Sequence, residues 1–251
     1  MARPLIGLQM YTVRNEAAKD FVGVVKQVAA MGYEGIESSP PPNMTPHEYR
    51  KLLDDLNLKT PGAHASLDAL EQDLNASVDL TKAIGGSFIT VSYMPESRRP
   101  DANGWKRAAE AMTKVGEKLA AQGVTLCYHN HSFEFQTFDG KYGLDIFYEH
   151  SDPRYVKAQL DTYWIRHGGA DPAAYIRKLK GRAPLIHLKD WDKTDGSFAE
   201  VGEGTLDWKA IFDAAEEGGA VWYIVEQDTW KRPPMECAKI SCDNLKKMGK
   251  L

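Results

Sequence analysis

Four side chains in the second half of the 251-residue sequence stand near the ends of strand-like apolar runs. They are Glu134 after VTLCYHNHSF, Asp161 after VKAQL, His187 after APLI and Glu226 after VWYIV. The intervals of 27, 26 and 39 residues each suit one strand-plus-helix unit. If those units close into a parallel barrel, all four groups reach the same rim. Three carboxylates and an imidazole converging there form a mostly hard donor set, one that suits a divalent ion: Mn2+ in the first place, with Mg2+, Co2+ or Zn2+ as alternatives. The competing reading is a set of barrel-mouth ion pairs, such as Asp161 or Glu226 with Lys189, because such networks also place acids at strand ends.

The elements that must position these groups follow a simple rhythm, a short apolar segment and then a longer amphipathic one. Strands are expected over 5–9, 35–38, 59–65, 87–92, 124–128, 156–160, 184–188 and 221–225, with helices over 18–31, 46–56, 67–84, 103–121, 143–150, 172–179, 206–217 and 235–248. Gly32 and Gly123 stop helices, and Thr45-Pro46 and Asp171-Pro172 start them in the favoured cap-then-proline order. Eight alternations predict an α/β protein with one (β/α)8 barrel over residues 1–251. An open doubly wound sheet would also alternate, but MYTVRNE after the first strand contains no glycine-rich phosphate fingerprint.

Bulk properties narrow the function classes. A net charge of −4 and a pI near 6.0 advertise no basic surface for nucleic acid or anionic membrane. No apolar run approaches the roughly 20 residues of a membrane span, and the N-terminus does not read as a signal peptide. The three cysteines, Cys127, Cys237 and Cys242, show no CxxC spacing. A cytoplasmic enzyme is expected, with a small-molecule partner, no nucleic acid and no membrane; homo-oligomer formation is left open.

In parallel barrels the C-terminal strand ends line the active site. That rule nominates Gln9, Glu37, His64, Ser92 and Tyr93 on the first four strands. On the last four it nominates His129, Asn130, His131, Glu134, Asp161, His187, Lys189, Asp190, Glu226 and Asp228. Charged residues are almost never buried without partners, and these have mainly each other. Gln9, Glu37, His64, Trp164 and Asp228 are assigned to substrate binding. Glu226, Lys189 and one of His129 and His131 are assigned to catalysis. His64 reads equally as a turn cap, Lys189 as a rim salt bridge, and Trp164 and Trp230 as closures of the mouth.

The segments GLQMYTVR, GAHASLD, YHNHSFEF, LDTYW, HLKD and VEQD, in that order from the first strand to the eighth, resemble the sugar phosphate isomerase/epimerase family of xylose isomerase-like TIM barrels. The resemblance implies a Glu-Asp-His-Glu metal site, matched by Glu134, Asp161, His187 and Glu226, and carbohydrate substrates whose adjacent oxygens bind the metal. It further implies that the glutamates of strands five and eight act as an acid/base pair on opposite faces of the sugar. Strand five departs from this pattern: it ends on His129, and Glu134 follows five residues later. A histidine, His129 or His131, stands where the first base is expected, and imidazole suits proton transfer near neutral pH.

A divalent ion that grips two neighbouring sugar oxygens acidifies the C–H beside a carbonyl by stabilising the enediolate formed on deprotonation. The expected reaction is isomerisation or epimerisation of a sugar or sugar phosphate. The alternative is a lyase or hydratase that expels a β leaving group from a 3-keto-glycoside or keto-inositol. Phosphodiester hydrolysis fits less well, because a multi-zinc site needs more ligands and the net charge is acidic.

Overall fold

The computed structural model describes residues 3–251. Its main sheet has eight parallel strands: β1 (Leu5–Gln9), β2 (Gly35–Glu37), β3 (Gly62–His64), β4 (Phe88–Val91), β5 (Thr125–His129), β6 (Val156–Asp161), β7 (Leu185–Leu188) and β8 (Trp222–Val225). Strands adjacent in sequence pair in parallel, and β8 pairs with β1. The junction of β2 and β3 is thinner. A single bridge joins Gly35 to Lys59, where Ile36 N–H donates to Lys59 O and Lys59 N–H to Glu34 O. The expected (β/α)8 barrel is therefore formed and nearly closed.

A main helix follows each strand, with short extra helices after the first, third and sixth: α1 (Phe21–Met31), α2 (Pro46–Asp55), α3 (Leu74–Ala83), α4 (Ala102–Ala120), α5 (Gly143–His150), α6 (Pro172–Lys178), α7 (Trp208–Glu217) and α8 (Pro234–Lys247). Asp20, Thr45, Asp73, Asp101, Asp171 and Asp207 accept hydrogen bonds from the first-turn amides that would otherwise be unpaired, each worth about 1 kcal/mol. The single helix expected over 67–84 is two. Asp73 interrupts it by accepting from Ala76 N–H and starting α3 afresh, which leaves Leu67–Gln72 as a separate helix. A short helix over Thr162–His167 was not expected; the Asp161 carboxylate caps it through Trp164 N–H at 2.9 Å. Among the described residues, no helix is long and apolar enough to cross a membrane.

Side chains alternate across a strand, and this parity builds two cores. Leu126, Tyr128, Leu160, Ile186, Leu188, Tyr223 and Val225 join the large cluster between sheet and helices. The opposite parity puts Cys127, Leu185, Trp222 and Ile224 in a small cluster inside the barrel, with Leu5 and Phe88 against it. One or two pleats above, the same inward parity carries Gln9, Glu37, His129, Gln159, Asp161, His187 and Glu226, all buried. Chemistry thus sits on an apolar plug.

Trp222 forms much of that plug, and glycines make room for it. A Cβ on Gly35 would lie 2.6 Å from Trp222 Cη2 and 2.4 Å from the Lys59 carbonyl oxygen. The thin β2–β3 junction therefore requires glycine at this position. Gly35→Ala should destabilise the protein by about 1–3 kcal/mol through overpacking, read as a lowered midpoint in urea unfolding followed by circular dichroism; an unchanged midpoint would show that the junction is plastic.

Candidate metal centre and active site

The ends of β5, β6 and β7 and the residue after β8 bring His129, Asp161, His187 and Glu226 together, each offering a donor atom within 4.8 Å of the others. Three of these are the expected ligands. The fourth is not: Glu134 lies in the 3-10 turn Phe133–Phe135, with its Oε1 accepting from the Tyr128 hydroxyl and its Oε2 from His131 N–H, both at 2.8 Å. Tyr128 faces the outer core, so the residues beyond β5 fold this carboxylate back behind the sheet. Burial raises its carboxyl to about 7, despite the Tyr128 hydrogen bond. His129 takes the place assigned to Glu134, and its parity with inward-facing Cys127 was the available signal. The set becomes two imidazoles and two carboxylates, less negative by one charge and better suited to Mn2+, Co2+ or Zn2+ than to Mg2+.

Charge in this pocket is balanced by contact. Lys189 is fully buried, with Nζ 2.8 Å from Glu226 Oε2, 3.1 Å from Asp161 Oδ2 and 3.0 Å from Asp228 Oδ1. Burial alone would push its ammonium down, but Asp161, Glu226 and Asp228 hold it above the usual lysine value. His187 bridges two acids, Nδ1 to Glu226 Oε2 and Nε2 to Glu37 Oε2, each at 2.8 Å. Burial opposes its charge, yet Glu37 and Glu226 raise it to about 10. Burial lifts the Glu226 carboxyl, but Lys189 and His187 outweigh this and hold it down at about 2. Asp161 goes the other way: burial dominates and raises it to about 6.

Glu37 does not line the cavity. It is buried beneath His187, where Oε2 accepts from Gln9 Nε2 and Oε1 from Gln159 Nε2, both at 2.7 Å. A carboxylate on the far nitrogen of a histidine that binds a metal fixes its tautomer and orientation, and Glu37 is placed to do this for His187. Gln159 lies two residues before Asp161 and shares its inward parity, the signal that could have nominated it. Asn130 and Asp190, nominated with the rim groups, serve backbone amides instead. Asn130 Oδ1 accepts from Asp161 N–H at 3.0 Å. Asp190 organises the loop that follows β7, accepting from the amides of Trp191, Gly202, Gly204 and Leu206 and from Trp208 Nε1. The clamp leaves no room for a side chain at Gly204, where a Cβ would lie 2.3 Å from Asp190 Oδ1.

Above the donors opens a cavity of about 420 Å³. Of the expected substrate groups, Gln9, His64, Trp164 and Asp228 line it, as do His129, His131, Lys189 and Glu226. Both Glu226 contacts fall on Oε2, which leaves Oε1 free among the described residues. His131 Nδ1 and Trp164 Nε1 are buried without hydrogen-bond partners. Burial and nearby Lys189 lower the His131 imidazole to about 4. Trp230 is elsewhere, stacked 4.4 Å from the Arg14 guanidinium.

The donors fit a metal. His129 Nδ1 and Asp161 Oδ2 are buried without hydrogen bonds. The 3.8 Å between His129 Nε2 and Asp161 Oδ2 is too long for a hydrogen bond to join them. Lys189 approaches Asp161 Oδ2 as an ion pair without hydrogen-bond geometry, so a cation is already drawn to this position. A bound divalent ion would be held by His129, Asp161, His187 and Glu226. His129→Ala should weaken Mn2+ or Zn2+ binding strongly, and Glu37→Gln by about 10–100-fold, in calorimetric titrations. Glu134→Gln should leave it near the parent value; the opposite ranking would restore Glu134 as a ligand.

The model of the xylose isomerase-like TIM barrel family matches residues 25–248. Inosose dehydratase from Clostridium beijerinckii is 26% identical over 87% of this chain and 86% of its own. The inosose dehydratase of Lacticaseibacillus casei is 24% identical with the same coverage. Among solved structures, a sugar phosphate isomerase/epimerase from Parabacteroides distasonis superposes with a TM-score of 0.87 at 24% identity, covering 100% of this chain and 96% of that one. An L-ribulose 3-epimerase superposes at 0.69 with 20% identity, covering 100% and 97%; at such identities these two likenesses concern the fold. With most of its length matched and its polar groups gathered at the C-terminal rim, the chain belongs to the xylose isomerase-like TIM barrel family.

Proposed function

We propose that this protein is a metal-dependent lyase, which removes the proton beside a carbonyl of a keto-cyclitol or keto-sugar and expels a β leaving group. The observation that carries this reading is the turning away of Glu134. Epimerisation by two carboxylates needs one on each face of the sugar, and here Glu226 alone of that pair reaches the cavity. The similarity to inosose dehydratases supports the same reading, and it reverses the order in which the sequence ranked the two reactions.

A divalent ion at the four donors would polarise the substrate carbonyl and acidify the neighbouring C–H. Glu226 receives that proton on Oε1, the oxygen that neither His187 nor Lys189 contacts. The Lys189 ammonium, fixed among three carboxylates, faces the negative charge that develops on the carbonyl oxygen. The carbon–oxygen bond at the β carbon then breaks, and the departing hydroxide takes the proton from Glu226 to leave as water. One carboxylate thus serves both half-steps. His64, His131 and Trp164 present polar atoms to the remaining hydroxyls.

The second reading, isomerisation or epimerisation, rests on His131, which lines the same cavity, whose buried Nδ1 has no hydrogen-bond partner, and which would supply a second proton carrier. Two variants separate the readings. Glu226→Gln should lower turnover of 2-keto-inositol by about 10²–10⁴-fold, followed by enone absorbance and by C–H exchange in D2O. His131→Gln should keep turnover within about tenfold if Glu226 carries the proton alone, and lose at least about 100-fold if His131 is the partner base. Exchange accompanied by rearranged sugar without enone would sink the lyase reading.

A further inference from the structure

We propose that the substrate is a keto-glycoside whose aromatic aglycone lies across the β1–β4 half of the barrel mouth; this rests on the elimination reading above. The four metal donors and Lys189 all come from β5–β8 and their ends. The opposite half of the mouth carries none of them, yet it is not filled. Two further hollows, of about 380 and 340 Å³, open there, and both share His64 with the central cavity. One runs from Tyr93 to Leu67 and Pro95; the other runs from Tyr11 to Phe21 and Pro41. The central cavity by itself is large enough for a small ligand, so a single keto ring leaves both hollows unused.

Two aromatic side chains guard the hollows. Tyr11 and Tyr93 are 51% and 53% exposed, and each borders both its own hollow and the central cavity. Neither ring is loose. The Arg14 guanidinium stacks 4.0 Å from the Tyr11 ring and donates to the carbonyls of Tyr11 and Asp228. Tyr93 packs edge-on against Phe133, which in turn lies 3.8 Å from the Arg99 guanidinium. Propped rings of this kind are preorganised platforms for a flat apolar group. The surface the hollows expose is largely apolar, from Leu67, Tyr93 and Pro95 in one and Met10, Phe21 and Pro41 in the other, with serines between them; this suits an aromatic ring better than a second sugar, and Arg14 is already committed to its stack and carbonyls. Binding energy from such a non-reacting part can be expressed at the reacting carbon.

In a 3-keto-glycoside the balance is that of the proposed reaction. The C2 proton passes to Glu226, the C1–C2 double bond forms, the C1–O bond breaks, and the aglycone oxygen takes the proton to leave as an alcohol. Benzyl and methyl 3-keto-β-glucosides, whose leaving alcohols are nearly equal in acidity, test the inference. The expected result is a kcat/KM at least tenfold higher for the benzyl compound, with the ratio falling towards one in the Tyr11→Ala/Tyr93→Ala variant. Equal values for the two compounds, or a 3-keto-disaccharide preferred over benzyl, overturn it. If no keto-sugar reacts, the elimination reading fails by itself, and the unreactive benzyl and methyl β-glucosides decide the cleft by quenching of tryptophan fluorescence. Tenfold tighter benzyl binding, lost in the double variant, upholds the aromatic subsite; equal binding removes it.

Discussion

A buried set of charges that balances only as a whole governs this molecule. Asp161, Glu226 and Asp228 surround one ammonium, Lys189, while Glu37 and Glu226 share the His187 imidazole. Isolated charges at such depth are costly, whereas paired and hydrogen-bonded ones are tolerated. Removal of a single member leaves its partner uncompensated, so the network behaves as one unit. The same property makes the site receptive to a divalent ion, because carboxylates already held against a cation need little rearrangement to accept another.

Strand parity is what allows this network to exist above an otherwise apolar interior. Every second residue of a barrel strand points inward. On β8 that series runs Trp222, Ile224 and Glu226; on β7 it runs Leu185 and His187; on β5 it runs Cys127 and His129. The lower members pack as a hydrophobic plug and exclude water from below. The upper members, denied water on that side, satisfy one another through Gln9, Glu37 and Gln159. A one-residue slip in any of these strands would exchange charge for hydrocarbon on both faces.

Around the charged centre the mouth is divided. The β5–β8 side carries the four clustered donors and the ammonium. The β1–β4 side supplies Glu37 and Gln9 to steady His187 from beneath, and above them an open floor flanked by tyrosines. Between the two, the loop after β7 is anchored by Asp190 at five donors, which keeps Lys189 in place without a contact of its own to the cavity. A fold that separates positioning from chemistry in this way lets loops vary without disturbing the ligands.

Much of this was readable from the chain alone. The eight alternations, the cap residues and the strand-end placement of Asp161, His187 and Glu226 follow from local periodicity and side-chain type, and these local preferences agree with the observed barrel. The helix break at Asp73 was also local, but an aspartate inside an amphipathic run has no unique reading without its amide partner. Three things were decided only by tertiary structure. Glu134 turned behind the sheet because an outward-facing Tyr128 hydroxyl offers its carboxylate a hydrogen bond across a turn. Glu37 became a support for His187, 150 residues away in sequence, because β1 and β8 bring the two inner faces together. Lys189, already a candidate partner of Asp161 or Glu226 from its position, came to serve both of them and Asp228 at once because the barrel closes around it. Residue type and spacing determined which groups arrive at the rim; the direction each carboxylate faces depended on hydrogen-bond partners that sequence neighbours do not supply.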